Sequence, residues 1–334
     1  MKNALFTGVV LALTGLTAAA HGQEKLRFAV FTPAAEMVSV VLAKPWAAKV
    51  NQDARGEVDV QVYPDGALGR NPGLQTKMVQ DGLADIAFVI TSYTPGAFPD
   101  DDLFELPNVI QSSTEGSLSA WRLYRKGLLR GFDNYYVVTL FTSPPVTFHT
   151  NFKATTAEHL KGKKIRATGS IANQSIKALG ASPEGLPATQ IVEAISRGVI
   201  DGTTTHPIII EEFGISRVVN NHYLGKIGVI VAAILMNKKK FDSLPANARV
   251  AIEKHSGEQM SRLYGEGNDK RTADVVKAWT NDPKRNVTIP TAADEAAWDK
   301  VLAPVRAAWE AKDERNKMLL KAMRQELADI RAGK

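Results

Sequence analysis

Arg166 is the residue whose type and position most clearly suggest a chemistry. It follows Ile165 directly and ends a predicted β-strand, so its guanidinium lies at a strand end and not on a helix face. A guanidinium in such a place can bind a carboxylate through two parallel hydrogen bonds. A surface arginine in an ordinary strand–helix unit has the same spacing, so the pattern alone leaves both interpretations open.

The segment that positions Arg166 alternates strands with helices. Residues 160–207 predict a strand, a helix, a short connection, a second helix and a strand end, which is the order found in a parallel sheet. Three threonines, Thr203, Thr204 and Thr205, follow the second strand. Because the ends of parallel strands meet at one edge, we expect these threonines near Arg166.

The N-terminal part of the chain has the same alternation. Apolar or alternating stretches predict strands, and 3.6-residue periodicity predicts helices between them. The predicted strands are 26–31, 57–63 and 84–90, and the predicted helices are 35–51 and 71–82. Apolar strands between helices favour a parallel sheet that is covered on both faces.

Proline-rich breaks further along the chain predict a crossing into a second unit. We place that crossing at Ser143-Pro144-Pro145, and residues 146–149 then begin the second unit. The remaining predicted elements are a helix at 113–132, a strand at 135–141, a short helix at 211–218, an apolar strand at 226–236, and helices at 245–279 and 292–331.

The first 22 residues have the features of an export signal. Lys2 precedes an apolar run over residues 4–20, and small residues follow before Gln23. An uncleaved anchor is the alternative, although the run is shorter than the roughly 20 apolar residues of a spanning helix. We expect cleavage near Gly22 and a mature protein outside the cytoplasm.

Composition narrows the class of protein. A chain of 334 residues favours two lobes, and without any cysteine it must be stabilised by large cores. The excess of 41 basic over 35 acidic residues suits an anionic ligand and is far from a nucleic-acid-binding signature. We therefore predict an α/β protein with parallel-rich sheets flanked by helices.

Motifs for catalysis and for metal or cofactor binding are missing from the sequence. It contains no Gly-rich phosphate loop, no Gly-x-Ser-x-Gly elbow and no His-Glu-x-x-His pair. Its histidines are spread without metal-ligand spacing. We predict no catalytic residue, no metal site and no cofactor.

Ligand-binding residues are expected directly after strands, because the crevice of an open sheet forms there. Each candidate could also cap a helix or complete a core. The candidates are Phe31, Thr32, Thr91, Ser92 and Tyr93 in the first lobe, and Phe148, Arg166, Thr204 and Thr205 in the second.

Several motifs resemble those of the solute-binding proteins of TRAP (tripartite ATP-independent periplasmic) transporters. The segment EHLKGKKIR at 158–166 is similar to the family's DLKGLKIR-like segment, whose arginine binds the ligand's carboxylate. GASP at 180–183 and AISRGVIDG at 194–202 follow in the family's order and spacing. YPDGALGRN at 63–71 and the stretch at 236–258 resemble two further family segments.

The resemblance implies a fold and its division. It implies a two-lobed periplasmic binding protein fold, with crossing strands and a long hinge-spanning helix, that closes over its ligand. The implied parts are a signal peptide at 1–22, lobe one at 23–144 plus 235–275, and lobe two at 145–234 plus 276–334. The C-terminal helix is expected to pack on lobe two.

The resemblance also implies a function. A member of the family captures an organic anion in the periplasm and delivers it to the permease subunits of a TRAP transporter, without using ATP. The contact with that inner-membrane partner is peripheral, and no nucleic acid is involved.

The residues around Arg166 suggest the class of ligand. Positions Phe31, Ile90, Tyr93 and Val146 are aromatic or aliphatic where sugar-acid binders of the family tend to be polar. One arginine among apolar walls predicts an apolar or aromatic monocarboxylate. The alternatives are a binding protein of another transporter or sensor for a dicarboxylate or sugar acid, and a secreted α/β enzyme.

Overall fold

Two mixed β-sheets, each flanked by helices, form the protein. The structure is a computed structural model that describes residues 23–334. The predicted signal peptide lies outside the described residues. Within residues 23–334, no helix has both the length and the apolar character needed to cross a membrane.

The described residues form eleven strands and eleven α-helices. The strands are β1 (Glu24–Ala29), β2 (Val58–Tyr63), β3 (Ile86–Ile90), β4 (Tyr135–Thr142), β5 (Thr147–Thr150), β6 (Lys164–Ala167), β7 (Ser182–Gly185), β8 (Gly202–Thr205), β9 (Asn221–Tyr223), β10 (Val231–Asn237) and β11 (Asn286–Thr288). The helices are α1 (Lys44–Asp53), α2 (Gln75–Gln80), α3 (Ser113–Arg125), α4 (Ser170–Ala178), α5 (Ile191–Ser196), α6 (Pro207–Glu212), α7 (Lys238–Ser243), α8 (Ala246–His255), α9 (Glu258–Thr280), α10 (Ala292–Ala311) and α11 (Glu314–Arg331).

The two sheets have different strand orders. The first has the order β2-β1-β3-β10-β4, in which β1 is parallel to β2 and β3 while β10 is antiparallel to both its neighbours. The second has the order β11-β9-β5-β8-β6-β7, in which β6 is parallel to β7 and β8 while β5 is antiparallel to both its neighbours. The late strand β10 thus completes the sheet that the N-terminal strands begin.

Both faces of the first sheet are buried, as its apolar strands predict. Ile86 and Phe88 face one hydrophobic core, which includes Trp46 of α1. Ala87 and Val89 alternate with them and face a second core on the other side of the sheet. This double covering leaves the strand ends as the place where polar side chains can meet a ligand.

The chain crosses between the sheets at two adjacent segments. It leaves the first sheet after β4 and returns to it before β10. The crossing segments are hydrogen-bonded to each other: the Ser143 amide donates to the Ile230 carbonyl at 2.9 Å, and the Val146 amide to the Gly228 carbonyl at 2.8 Å. The predicted breaker at 143–145 therefore lies between the sheets.

A long bent helix of 35 residues provides a third connection. It consists of α8 and α9, which meet at Gly257, where φ is 92°. Glycine adopts this positive φ without steric cost, so the bend falls at this residue. Helix α9 packs on α3 beside the first sheet and on α6 beside the second.

The C-terminal helices differ from the sequence expectation, which placed them together on lobe two. Helix α10 packs on α4, and its Trp298 and Leu302 belong to the core of the second sheet. Helix α11 instead packs on α3 and contributes Leu320 and Met323 to a core of the first sheet. The single helix expected at 292–331 is broken at Asp313, whose side chain caps α11.

Two short elements of the second sheet also differ from the prediction. Strand β7 occupies part of the expected connection between α4 and α5 and pairs with β6. The helix expected at 211–218 begins earlier, because Pro207 occupies its first position, where proline is favoured.

Candidate functional site

Arg166 lies on β6, an interior strand of the second sheet, and is almost completely buried. Strand β6 runs between β7 and β8, and Arg166 pairs with Thr203 of β8. Only 1% of the residue is exposed. A charged side chain is rarely buried to this extent unless an opposite charge pairs with it.

The protein itself occupies only part of the hydrogen-bonding capacity of this guanidinium. Nε donates to the Leu186 carbonyl at 2.7 Å, Nη1 to the Thr204 carbonyl at 3.1 Å, and Nη2 to the Tyr93 hydroxyl at 2.9 Å. A guanidinium has five N–H groups, so one remains on each Nη nitrogen. Among residues 23–334, no carboxylate forms an ion pair with Arg166. With these two free N–H groups, the buried guanidinium can donate two hydrogen bonds to one carboxylate.

Tyr93 connects the two lobes at this site. It belongs to the short 3₁₀ turn Thr91–Tyr93, which follows β3 of the first sheet directly. Its hydroxyl oxygen accepts from Arg166 Nη2 and also from the Ala188 amide at 3.1 Å, and both donors belong to the second lobe. The lobes are therefore closed on each other around Arg166.

A cavity between the lobes contains Arg166 and Tyr93. In this closed arrangement the cavity has a volume of about 50 Å³. Its walls are mostly apolar, and the rings of Phe31 and Phe88 stack in it with centroids 5.0 Å apart. The lining residues are Phe31, Thr32, Glu36, Phe88, Ile90, Tyr93, Ser143, Arg166, Ala188, Thr205, His206, Ile209, Phe213, Ile230, Ala232 and Tyr264.

Glu36 is the acidic residue in this lining. It is 4% exposed, and its Oε2 accepts from the Thr32 hydroxyl and the Val38 amide, each at 2.9 Å. Burial raises the pKa of the Glu36 carboxyl to about 7, although these hydrogen bonds lower it. Near neutral pH the carboxyl can therefore be either charged or neutral.

His206 is a second buried titratable residue in the lining. Burial lowers its pKa to about 3, so the imidazole is neutral. Its Nδ1 is buried and has no hydrogen-bond partner among the described residues. The cavity thus contains one permanent positive charge on Arg166, one carboxyl on Glu36 that can be charged or neutral, and one neutral imidazole on His206.

The structure places five of the nine candidate residues in the cavity and four beside it. Phe31, Thr32, Tyr93, Arg166 and Thr205 line the space. Thr91, Ser92, Phe148 and Thr204 do not line it.

Strand alternation and local packing explain why those four residues lie elsewhere. Phe148 and Thr204 face each other across β5 and β8, on the side of the sheet opposite to Thr205. The Phe148 ring packs on Trp298 at 5.1 Å. The Thr91 hydroxyl donates to the Val231 carbonyl, and Ser92 lines a separate groove with Thr91.

Sequence reasoning missed several lining residues, some of them next to strand ends and others on segments that were not considered. Glu36 precedes a π-helical turn, and His206 comes directly after the threonine run. An acidic residue isolated in the apolar stretch at 34–43 is a signal that could have identified Glu36. The other missed residues are Phe88, Ser143, Ala188, Ile209, Phe213, Ile230, Ala232 and Tyr264.

A second contact between the lobes lies beside the cavity. The Ser170 hydroxyl at the start of α4 donates to Asp102 at 2.7 Å. Glu105 lies so close to Gly169 that a Cβ there would approach its Oε1 to 2.0 Å. Burial and the charge of Asp102 raise the pKa of Glu105 well above its usual value, and burial raises that of Asp101 to about 8. Carboxyl groups are thus concentrated where the lobes meet.

The described part of the chain contains no group of three or more His, Asp or Glu side chains placed to hold a metal ion. Arg166 and the neighbouring hydroxyl groups are suited to binding an anion directly.

A family model described as bacterial extracellular solute-binding protein, family 7, matches residues 29–313. Among similar proteins, the C4-dicarboxylate-binding periplasmic protein DctP of Rhodobacter capsulatus is 26% identical over 265 residues, which are 75% of this chain and 76% of that protein.

Solved structures agree with this match. A TRAP solute binding protein from a marine metagenome, described as specific for aromatic acid ligands, is 26% identical with a TM-score of 0.85, over 92% of this chain and 99% of that chain. A TRAP solute binding protein from Rhodoferax ferrireducens T118, in complex with copurified benzoate, has the same identity and TM-score over 91% of this chain and 98% of that chain.

Proposed function

The chain belongs to the bacterial extracellular solute-binding proteins of family 7, the TRAP solute-binding proteins, and we propose that its cargo is an apolar or aromatic monocarboxylate. Proteins of this family bind small ligands and work with membrane permeases. In this protein, Arg166 binds the carboxylate and the apolar walls hold the body of the acid.

The observation that carries the proposal is the buried, unpaired guanidinium of Arg166. Burying a charge without a partner is costly, and a carboxylate from the ligand offsets that cost through two charge-assisted hydrogen bonds. Tyr93 supports the guanidinium from the first lobe, so the ligand's carboxylate would be held where both lobes meet.

The rest of the lining supports a single carboxylate on an apolar body. In the cavity, Arg166 is the only Arg or Lys side chain among the described residues, so a second carboxylate would have no fixed cation. Phe31, Phe88 and Phe213 are suited to packing against a ring or an aliphatic chain. Two structurally similar proteins that are described with aromatic acids point the same way.

Cellular location and delivery follow from the same proposal. The export signal expected at 1–22 would bring the protein to the periplasm, with cleavage near Gly22. There the closed, loaded form would meet the permease subunits of a TRAP transporter. The lobes would open about the paired crossing segments at 143–146 and 227–230, which hydrogen-bond to each other.

A thermal-shift screen of organic acids followed by calorimetry tests the proposal. We expect melting temperature to rise with aromatic or aliphatic monocarboxylates, because a ligand that binds only the folded state stabilises it. With the best acid, Arg166→Gln should weaken binding by about two to three orders of magnitude, since it removes one partner of a buried ion pair.

Arg197→Gln is the matched control, because Arg197 is an exposed arginine of the same lobe. It should bind the acid like the wild type. A screen in which only dicarboxylates or sugar acids bind would contradict the proposed cargo. Wild-type affinity in Arg166→Gln would contradict the role of Arg166.

A further inference from the structure

Glu36 is a charged group of the cavity that carboxylate binding by Arg166 leaves without a role. It lies in the first lobe, between β1 and the π-helical turn Val38–Ala43, and Arg166 lies in the second lobe. Both side chains line the same space, yet no ion pair between them is present within the described residues. The two groups therefore address different parts of a ligand.

Only one oxygen of the Glu36 carboxyl is used by the protein. Oε2 accepts from both the Thr32 hydroxyl and the Val38 amide. Oε1 forms no hydrogen bond of ordinary geometry with residues 23–334, although the Met37 and Ser39 amides lie close enough to the carboxyl to lower its pKa. Because the side chain lines the cavity, Oε1 is the oxygen available to a ligand.

The surroundings of Glu36 are apolar, which makes a free oxygen costly. Phe31, Phe88 and Ile90 share the lining with it, and Glu36 itself is 4% exposed. A buried acceptor without a partner costs free energy, so a ligand that donates to Oε1 should be preferred over one that covers it with a methyl group.

We propose that Glu36 determines specificity by hydrogen-bonding a hydroxyl group on the body of the ligand, so that the preferred cargo is a hydroxylated monocarboxylate. This inference rests on the proposed function, in which Arg166 binds the carboxylate of the same ligand. The apolar walls would hold the part of the ligand between the carboxylate and the hydroxyl.

A hydroxyl suits Glu36 better than an ammonium group. Burial raises the pKa of Glu36 to about 7. The negative charge of Glu36 also repels that of Glu212. A hydroxyl can donate to the ionised carboxyl or accept from the protonated one, whereas an ammonium can bind only the ionised form. A neutral donor also avoids burying a second cation among aromatic rings.

Calorimetry with matched benzoates tests the inference on the wild-type protein. The probes are benzoate, its 3- and 4-methyl derivatives, its 3- and 4-hydroxy derivatives, and its 3- and 4-(aminomethyl) derivatives. We expect at least one hydroxybenzoate to bind about tenfold more tightly than the methylbenzoate with the same substitution. Methyl derivatives that bind as tightly as both hydroxy derivatives, or aminomethyl derivatives that bind best, would overturn it.

Variants at position 36 assign the preference to this residue. Glu36→Leu should lose the preference for hydroxyl over methyl, measured as the ratio of the two affinities, and a cooperative thermal unfolding transition shows that the variant folds. Glu36→Gln should keep its carbonyl oxygen on the Thr32 hydroxyl and the Val38 amide and present its NH2 group to the ligand, whose hydroxyl can accept, so part of the preference should remain. Glu253→Leu, at an exposed position, should retain all of it. An unchanged preference in Glu36→Leu would show that Glu36 only caps the π-helical turn and would overturn the inference.

The two proposals fail in distinguishable ways. If the wild type binds no monocarboxylate, the proposed function fails and this inference fails with it. If it binds benzoate and requires Arg166 but does not favour a hydroxyl, only the role of Glu36 is refuted. If Glu36→Leu does not fold, the comparison of methyl with hydroxy ligands on the wild type still decides.

Discussion

At the scale of single residues, the proposal gives Arg166 a role in ligand binding and not in stability. Its three protein hydrogen bonds go to two carbonyls and one hydroxyl, all of them neutral acceptors. In the ligand-free protein the buried charge is therefore uncompensated. Replacing Arg166 by an apolar group would relieve this charge but would leave the three acceptors without a donor, so the two effects on stability oppose each other.

We expect Arg166→Met to lower the free energy of unfolding of the ligand-free protein by less than Arg315→Met does, because relief of the buried charge offsets the acceptors left unpaired. Urea unfolding measures it. Arg315→Met is the contrasting variant, because Arg315 pairs with the buried Asp100 at 2.7 Å and should cost about 1–3 kcal/mol. A larger loss of stability in Arg166→Met than in Arg315→Met would indicate a structural role for Arg166.

Residues of the site differed in how well sequence reasoning could identify them. The sequence indicates Arg166 as a candidate because its position at a strand end and the surrounding motif agree, and the structure places it in the cavity lining. Glu36 was not a candidate, because the role proposed for it depends on burial and on the absence of a paired cation, and both are properties of the tertiary structure. The free acceptor on Oε1 cannot be read from residue types.

At the scale of elements, the two-residue alternation of β8 places neighbouring threonines on opposite faces of the sheet. Thr205 lines the cavity, whereas Thr204 points to the other face of the sheet. The Thr204 hydroxyl donates to the Arg166 carbonyl at 3.0 Å, which joins β8 to β6. Adjacent residues of the same type therefore have different roles.

The pair Thr205→Val and Thr204→Val checks this separation. Thr205→Val should weaken binding of the cargo several-fold with little change in stability, because a polar group of the cavity is removed. Thr204→Val should lower the free energy of unfolding by about 1 kcal/mol and leave binding nearly unchanged. Calorimetry and urea unfolding of both variants measure the two effects, and the reverse assignment would contradict the geometry.

Strand–helix alternation predicted most of the helices and strands. The sequence was less informative about which surface a helix packs on, because that depends on tertiary contacts. The amphipathic pattern of the C-terminal segment predicts helices, yet it does not tell which surface their apolar faces meet. Helix α10 meets the second lobe and α11 the first, because Leu320 and Met323 complete a core beside α3. Strand β7 was missed because Ser182–Gly185 has too few apolar residues to signal a strand.

At the scale of the whole molecule, carboxyl groups from opposite lobes meet when the lobes close. Burial raises the pKa of Glu36 in the first lobe to about 7. Burial and the charge of Glu36 raise the pKa of Glu212 in the second lobe to about 8. Beside the cavity, Asp101 and Glu105 also have raised pKa values. Closure therefore favours the protonated forms of these groups.

This arrangement predicts that closure depends on pH. If closure raises the pKa of a carboxyl, the closed form binds its proton more tightly than the open form does. Closure is then fully favoured below the ordinary pKa of about 4, and this preference is lost as pH rises through the raised values of 7 to 8. Small-angle scattering of the ligand-free protein should therefore give a larger radius of gyration at pH 8.5 than at pH 6. Glu212→Gln should reduce the change, and a radius that is larger at pH 6 would contradict the prediction.

The central claim, that Arg166 binds the carboxylate of the cargo, is tested most directly by comparing an acid with its primary amide. The amide keeps the size and shape of the acid but lacks its charge. Calorimetry should show that the wild type binds the best acid of the screen at least about a hundredfold more tightly than the corresponding amide. Equal affinity for the acid and the amide would contradict the claim.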